Sequence, residues 1–260
     1  AVMVIVGLYV RLRLTETPVF VRAVERGERV KSPLAEVFRS SWRQLIIGTF
    51  VMLATYTLFY IVTTWALSYG TAKRPPEGRG LGFDYVDFLQ WQLIAMLFFA
   101  ALLPVAGRLA DRFGRRATLL VVTAAIMAYG ALFGPMLAPE SGSQTTMLVF
   151  LIIGMILMGL TFGPMSAVLP EMFPTNVRYT GSGIAYNASG ILGAAVAPFL
   201  ATWIVAEYGV GWVGLYLFGA AALSFVALLI MRETRDTSLD AGLDTGPDAH
   251  RSGELRTSRR

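Results

Sequence analysis

The sequence predicts an all-α integral membrane protein, and three observations carry that prediction. Hydrophobic residues make up 55% of the chain and charged residues only 15%, against about 25% charged in a soluble domain. The charges are gathered into short stretches, leaving uncharged windows at 44–72, 88–107, 117–139, 141–170, 179–206 and 208–231. A helix needs about 20 residues to cross about 30 Å of hydrocarbon, and each window is long enough. The third observation is where the basic residues fall. Of the 22 Lys and Arg, 19 lie on one set of alternating connections (11–43, 108–116, Arg178 and 232–260), and Lys73, Arg74 and Arg79 lie on the other. Short loops rich in Lys and Arg stay in the cytoplasm, so this bias places the long connection and the C-terminus there and makes the chain multi-pass in the cytoplasmic membrane.

The elements follow in order. Ala1–Val10 is apolar but too short to span, and reads as the end of a truncated transmembrane helix. Residues 11–43 form a charged cytoplasmic linker in which Ser32-Pro33 is a helix-start signal. Helices are predicted over 44–69, 86–107, 117–138, 147–169, 181–205 and 212–231, a six-helix transmembrane bundle within 44–231. Pro75, Pro76, Gly78, Gly80 and Gly82 make 70–85 a loop. The tail at 232–260 is polar, rich in Asp, Gly, Ser, Thr and Arg, and is expected to be disordered.

Several function classes are disfavoured. The pI near 9.7 raises nucleic acid as a partner, but the basic residues flank apolar spans, so the expected partner is the lipid bilayer. Cysteine is absent, which a membrane-embedded fold tolerates because it needs no disulfide staple. The GRGLG at 78–82 lacks the preceding strand of a nucleotide loop, and His250 lies in the tail. Neither a nucleophile, a metal cluster nor an acid–base pair stands near the bilayer, so no enzyme, cofactor or metal is expected.

The most specific segment is GRLADRFGRR at 107–116. Gly107 and Gly114 suit close helix approach at a short turn, and Asp111 is placed to face the positive end of a helix. Arg112, Arg115 and Arg116 can pair with carboxylates. This segment resembles the signature loop of the major facilitator superfamily, which recurs after the second helix of each six-helix half. PEMFPTNVRYTG at 170–181 resembles the connection after the tenth helix, RETRD at 232–236 the segment after the twelfth, and RLRLTETPVF at 11–20 the end of the sixth. SGIAYNASGILGAAVAPF at 182–199 most resembles the metabolite:proton symporters. The resemblance implies the C-terminal half-bundle of a major facilitator fold, helices seven to twelve, built as two inverted three-helix units. It implies proton-coupled symport of a small polar metabolite, such as an organic acid or osmolyte, together with a missing N-terminal six-helix half. A truncated, non-transporting membrane fragment or assembly partner remains the alternative. It also implies that Glu171, Arg178 and Glu233 join the signature loop in a charge network that controls the outward-open state.

Polar residues inside spans are costly and are therefore site candidates. Tyr56, Tyr60 and Thr63 recur at helical spacing on the first full helix, Gln90 lies on the second, and Tyr186 and Asn187 lie on the fifth. These are the expected substrate-cavity residues. Gly159 and Gly163, followed by Pro164, are expected to permit close packing and a kink.

Overall fold

The computed structural model describes residues 4, 6–9, 32–140 and 142–233. The expectations for most of 1–31, for Ser141 and for 234–260 therefore lie outside the described residues. Among the described residues the chain is helical and contains no strand. Helix α1 (Pro33–Ser40) leads into α2 (Trp42–Thr71), whose ladder passes through a π-turn at Ile61–Trp65. Helix α3 (Tyr85–Phe113) begins at Asp84, whose carboxylate accepts from Val86 N and Asp87 N. Helices α4 (Arg115–Gly130) and α5 (Phe133–Leu137) follow, and α6 (Gln144–Glu171) opens on a capping box made by Ser143 and Thr146. Helix α7 (Arg178–Tyr208) contains a second π-turn at Ile191–Ala195, and α8 (Val210–Ile230) closes the order. Helices α2, α3, α6, α7 and α8 are each long and apolar enough to cross a membrane.

Two expected boundaries are corrected. The segment at 117–138 is not one helix but the pair α4 and α5, broken at Ala131 and Leu132. The break coincides with a backbone-to-backbone approach. A Cβ built on Gly214 would lie 1.9 Å from Gly130 O, and one on Gly130 would lie 2.5 Å from Gly214 O. The second correction concerns 108–113, expected as a loop. It continues α3 to Phe113, and only Gly114 separates α3 from α4.

The helix neighbours form a symmetric pattern. With α4 and α5 taken as one segment, α2, α3 and α4/α5 form one unit of three, and α6, α7 and α8 the other. The pair α3–α6 then corresponds to α7–α2, α4–α6 to α8–α2, and α3–α4 to α7–α8, while α4–α8 maps onto itself. The pairs α3–α6 and α7–α2 run parallel along seams of small residues. On α6, a Cβ at Gly159 would lie 2.7 Å from Phe99 O, and one at Gly163 would lie 2.9 Å from Ala106 Cβ. Against α2, a Cβ at Gly193 would lie 2.7 Å from Tyr56 Cβ, and Gly48 faces Ala185. Two parallel pairs related by exchange of units are what an inverted repeat requires, because three helices reverse the direction of the next three.

The core away from the basic end is aromatic. Trp65, Phe133 and Phe150 are fully buried, and Tyr129 stacks on Phe150 with centroids 4.9 Å apart. Buried hydroxyls find carbonyls there, Tyr129 donating to Phe150 O at 2.9 Å and Tyr69 to Leu137 O at 2.7 Å.

Candidate functional site: a tyrosine-lined cavity and a charged end

The cavity lies between α2 and α7. Tyr56, Tyr60, Tyr186, Asn187, Gly190, Ile191, Ala194 and Ala195 enclose about 310 Å³, open on one side. Tyr56 and Tyr60 are one turn apart on α2, so both reach the same side of that helix. Tyr186 meets Tyr56 edge to face with ring centroids 5.3 Å apart, an arrangement favoured by the ring quadrupoles. Asn187 donates from Nδ2 to Gly183 O at 2.8 Å, which ties its donor to its own helix and leaves Oδ1 as its second polar group. Among the described residues no charged side chain lines this cavity. A second cavity of about 290 Å³ continues toward the basic end between Met52, Met165, Leu169, Tyr179, Ser182 and Tyr186.

Four of the expected cavity residues therefore come together, and two do not. Thr63 falls within the π-turn and its hydroxyl donates to Phe59 O at 2.7 Å, the back-bond that Thr49 and Thr71 also make to their own helix. Gln90 is exposed on α3, while its neighbour Gln92, two residues on, points inward and donates to Thr63 O at 2.7 Å. Residues two apart on a helix face nearly opposite ways, so only one of the pair can reach the bundle.

The charged end is organised around Gly114. Its φ of +98° and ψ of 144° suit glycine, and this conformation starts α4 directly beneath Glu233. The Glu233 carboxylate accepts from Arg115 N at 3.0 Å and from Arg116 N at 3.1 Å, so the anion sits on the positive end of α4. Arg116 reciprocates, donating from Nε to Leu228 O at 2.8 Å and from a terminal nitrogen to Leu229 O at 2.6 Å, at the negative end of α8. The Arg115 guanidinium pairs with Glu171 at the end of α6, with side chains 18% and 11% exposed. The remaining expected members sit elsewhere. Arg112 lies over the Phe113 ring at 5.3 Å, and Arg178 donates to Phe173 O at 3.3 Å rather than to a carboxylate. Asp111 is exposed and makes no hydrogen bond or ion pair among the described residues, because helical geometry carries it away from the start of α4. Gly107 meets nothing within 4 Å of a built Cβ, so its small size is not required by this half.

Comparison with known proteins agrees with this architecture. The family model described as Major Facilitator Superfamily matches residues 1–186 and 80–259. The chain belongs to that superfamily. It is 47% identical over 240 residues to the inner membrane metabolite transport protein YhjE of Escherichia coli strain K12, covering 92% of this chain and 53% of that protein. A putative metabolite transport protein of Haemophilus influenzae is 43% identical over 91% of this chain and 55% of its own length. The proline/betaine transporter of Escherichia coli strain K12 is 29% identical over 96% of this chain and 50% of its length. The chain thus spans about half the length of the curated relatives it matches.

Proposed function

We propose that this chain forms the C-terminal half of a secondary transporter of the inner membrane that carries a small, polar, net-neutral metabolite with protons. The observation that carries the reading is the uncharged cavity between α2 and α7, open on one side and walled by Tyr56, Tyr60, Tyr186 and Asn187. Hydroxyls and an amide oxygen offer hydrogen bonds without demanding a counter-charge, and tyrosine faces attract an ammonium by about 0.5–2 kcal/mol. A zwitterionic osmolyte suits such a wall better than a dicarboxylate, which calls for cations. Relatives named as proline/betaine transporters agree with that chemistry. Proton coupling requires a titrating group in the pathway. Among the described residues no Asp, Glu, Lys or His lines this cavity, so that group is assigned to the other six-helix half. Asp111, exposed beside the charged end, is placed to cap a helix of that half, and the Arg115–Glu171 and Glu233 contacts hold this half's cytoplasmic end together.

The test is a fusion of this chain behind the N-terminal half of the Escherichia coli relative, reconstituted in liposomes under an imposed proton gradient. Uptake of labelled proline or glycine betaine should follow the gradient. Tyr56→Phe, Tyr60→Phe and Asn187→Ala should each raise the KM while protein abundance holds. The alternative raised from the sequence, a non-transporting fragment or assembly partner, requires no uptake in any such fusion. Variants that lower abundance without touching KM would reduce these residues to packing groups.

A further inference from the structure

Neighbouring helices reach the backbone of α2 at two places, and these bracket the cavity tyrosines. The first contact comes from α8. Ser224 of α8 is fully buried, and its hydroxyl accepts from Ala54 N at 2.8 Å while donating to Phe50 O at 2.6 Å. Ala54 N and Phe50 O are the i and i−4 groups that an uninterrupted helix pairs with each other. The hydroxyl is thus seated on one rung of the α2 ladder, a known way to bend a helix. The second place is the π-turn at Ile61–Trp65. It too is held from a neighbouring helix, because Gln92 of α3 donates to Thr63 O at 2.7 Å. Thr63 Oγ1 adds a bond to Phe59 O at 2.7 Å, of the kind that bends helices. Between the two lies Thr55–Tyr60, about one and a half turns, carrying both Tyr56 and Tyr60.

We infer that Ser224 and Gln92 are positioning residues for the cavity: each holds one end of the tyrosine-bearing stretch of α2, and together they set how Tyr56 and Tyr60 face Tyr186 and Asn187. A one-residue π insertion rotates everything beyond it by about 100° relative to an unbroken helix. The phase of the tyrosine-bearing stretch relative to Ala66–Thr71 therefore depends on keeping the π-turn in place. Removing the Ser224 hydroxyl takes away the contact by which α8 holds Phe50 O and Ala54 N. Removing the Gln92 donor leaves Thr63 O without its partner from α3 and lets the π-turn migrate. The opposite wall carries its own π-turn on α7 and touches α2 where Gly193 is pressed on Tyr56 and Thr57. Perturbation at Ser224 or Gln92 should therefore move one wall of the cavity relative to the other.

The inference rests on the transport reading only for its consequence, so the test has two arms. In the first, the 260-residue chain is placed in lipid nanodiscs with a single cysteine at Tyr60 or at Asn187, and the labelling rate by a hydrophilic maleimide is measured. Ser224→Ala and Gln92→Met, the latter keeping the length but removing the amide donor, should change the rate at position 60 several-fold and leave position 187 unchanged. Equal changes at both positions, or none at either, overturn the inference. Should Ser224→Ala fail to accumulate, Gln92→Met carries the same comparison. In the second arm, the same substitutions enter the fusion transporter and should raise KM several-fold with the maximal rate retained. If labelling shifts at position 60 while no fusion transports anything, the positioning role stands and the transport reading falls. If transport proceeds with KM unchanged and labelling unmoved, the positioning role falls and the transport reading stands.

Discussion

Replacing Gly114 by alanine tests the charged end most directly, because two separable costs meet at that residue. The first is conformational. A φ of +98° with ψ of 144° is close to the region occupied almost exclusively by glycine, and holding another residue there costs about 1–3 kcal/mol. The second is steric and electrostatic. A Cβ at 114 would stand 2.9 Å from Glu233 Oε2 and displace the carboxylate from Arg115 N and Arg116 N. That anion on a helix N-terminus is solvent-exposed, which limits its worth to about 0.3–1 kcal/mol. Gly114→Ala should therefore destabilise the chain by roughly 1.5–4 kcal/mol, the sum of the two. A double-mutant cycle separates them: in a Glu233→Ala background the steric part is already gone, and the cost should fall by about 0.3–1 kcal/mol. Reversible unfolding in mixed micelles of increasing SDS fraction, followed by tryptophan fluorescence, supplies both numbers. Strict additivity of the two substitutions would show that Glu233 is not seated on α4. A Gly114→Ala variant as stable as the parent would show that the hinge does not need a positive φ.

Three further outcomes are expected. Glu171→Gln removes one partner of a largely buried ion pair and should destabilise by about 3–5 kcal/mol in the same SDS assay, whereas wild-type stability would place the Arg115–Glu171 contact in bulk solvent. Gly214→Ala forces a methyl against Gly130 O and should cost about 1–3 kcal/mol or more, with a cost near zero contradicting the close approach of α8 to the break between α4 and α5. Single cysteines at the exposed Glu77 and Glu140 should react with an impermeant thiol reagent on intact cells while one at Ser238 should not, and the reverse pattern would invert the topology read from the basic residues.

The helical membrane class was legible because it rests on a collective signal. Runs of 20 or more uncharged residues cannot hide, and the five long helices fall on five of the six windows. What the runs could not reveal is where a helix breaks. The α4/α5 break coincides with Gly130 meeting Gly214, residues 84 positions apart, a contact that no local reading reveals. Both π-turns are similarly silent, since Ile61–Trp65 and Ile191–Ala195 have the composition of any apolar helix. The cavity was half legible. Helical spacing brought Tyr56 with Tyr60, and Asn187 was read from its place beside Tyr186, but the same spacing put Thr63 on the face of Tyr56 and Tyr60, where it does not line the cavity. Gln90 was chosen, and Gln92, facing nearly the opposite way around α3, is the residue that points inward. At the charged end, Glu171 and Glu233 do meet the signature loop, at the Arg115 guanidinium and at the first amides of α4. The sequence did not show that α3 continues through Asp111 and that only Gly114 breaks it.

These misreadings share a physical origin that bears on how such a half works. Each concerns a place where one helix supplies what another lacks: Ser224 on the α2 ladder, Gln92 on the π-turn, Arg116 on the last carbonyls of α8, Glu233 on the first amides of α4. In hydrocarbon a backbone group without a partner costs several kcal/mol, so irregular backbone survives only where a neighbouring helix satisfies it. Such a break is then a property of a pair of helices rather than of one, and it responds when the pair shifts. The cavity tyrosines stand on the stretch of α2 that carries two of these dependencies, one to α8 and one to α3. A movement of either helix against α2 is thereby delivered to Tyr56 and Tyr60 through two hydrogen bonds, and the cavity cannot keep its shape while the bundle changes its own.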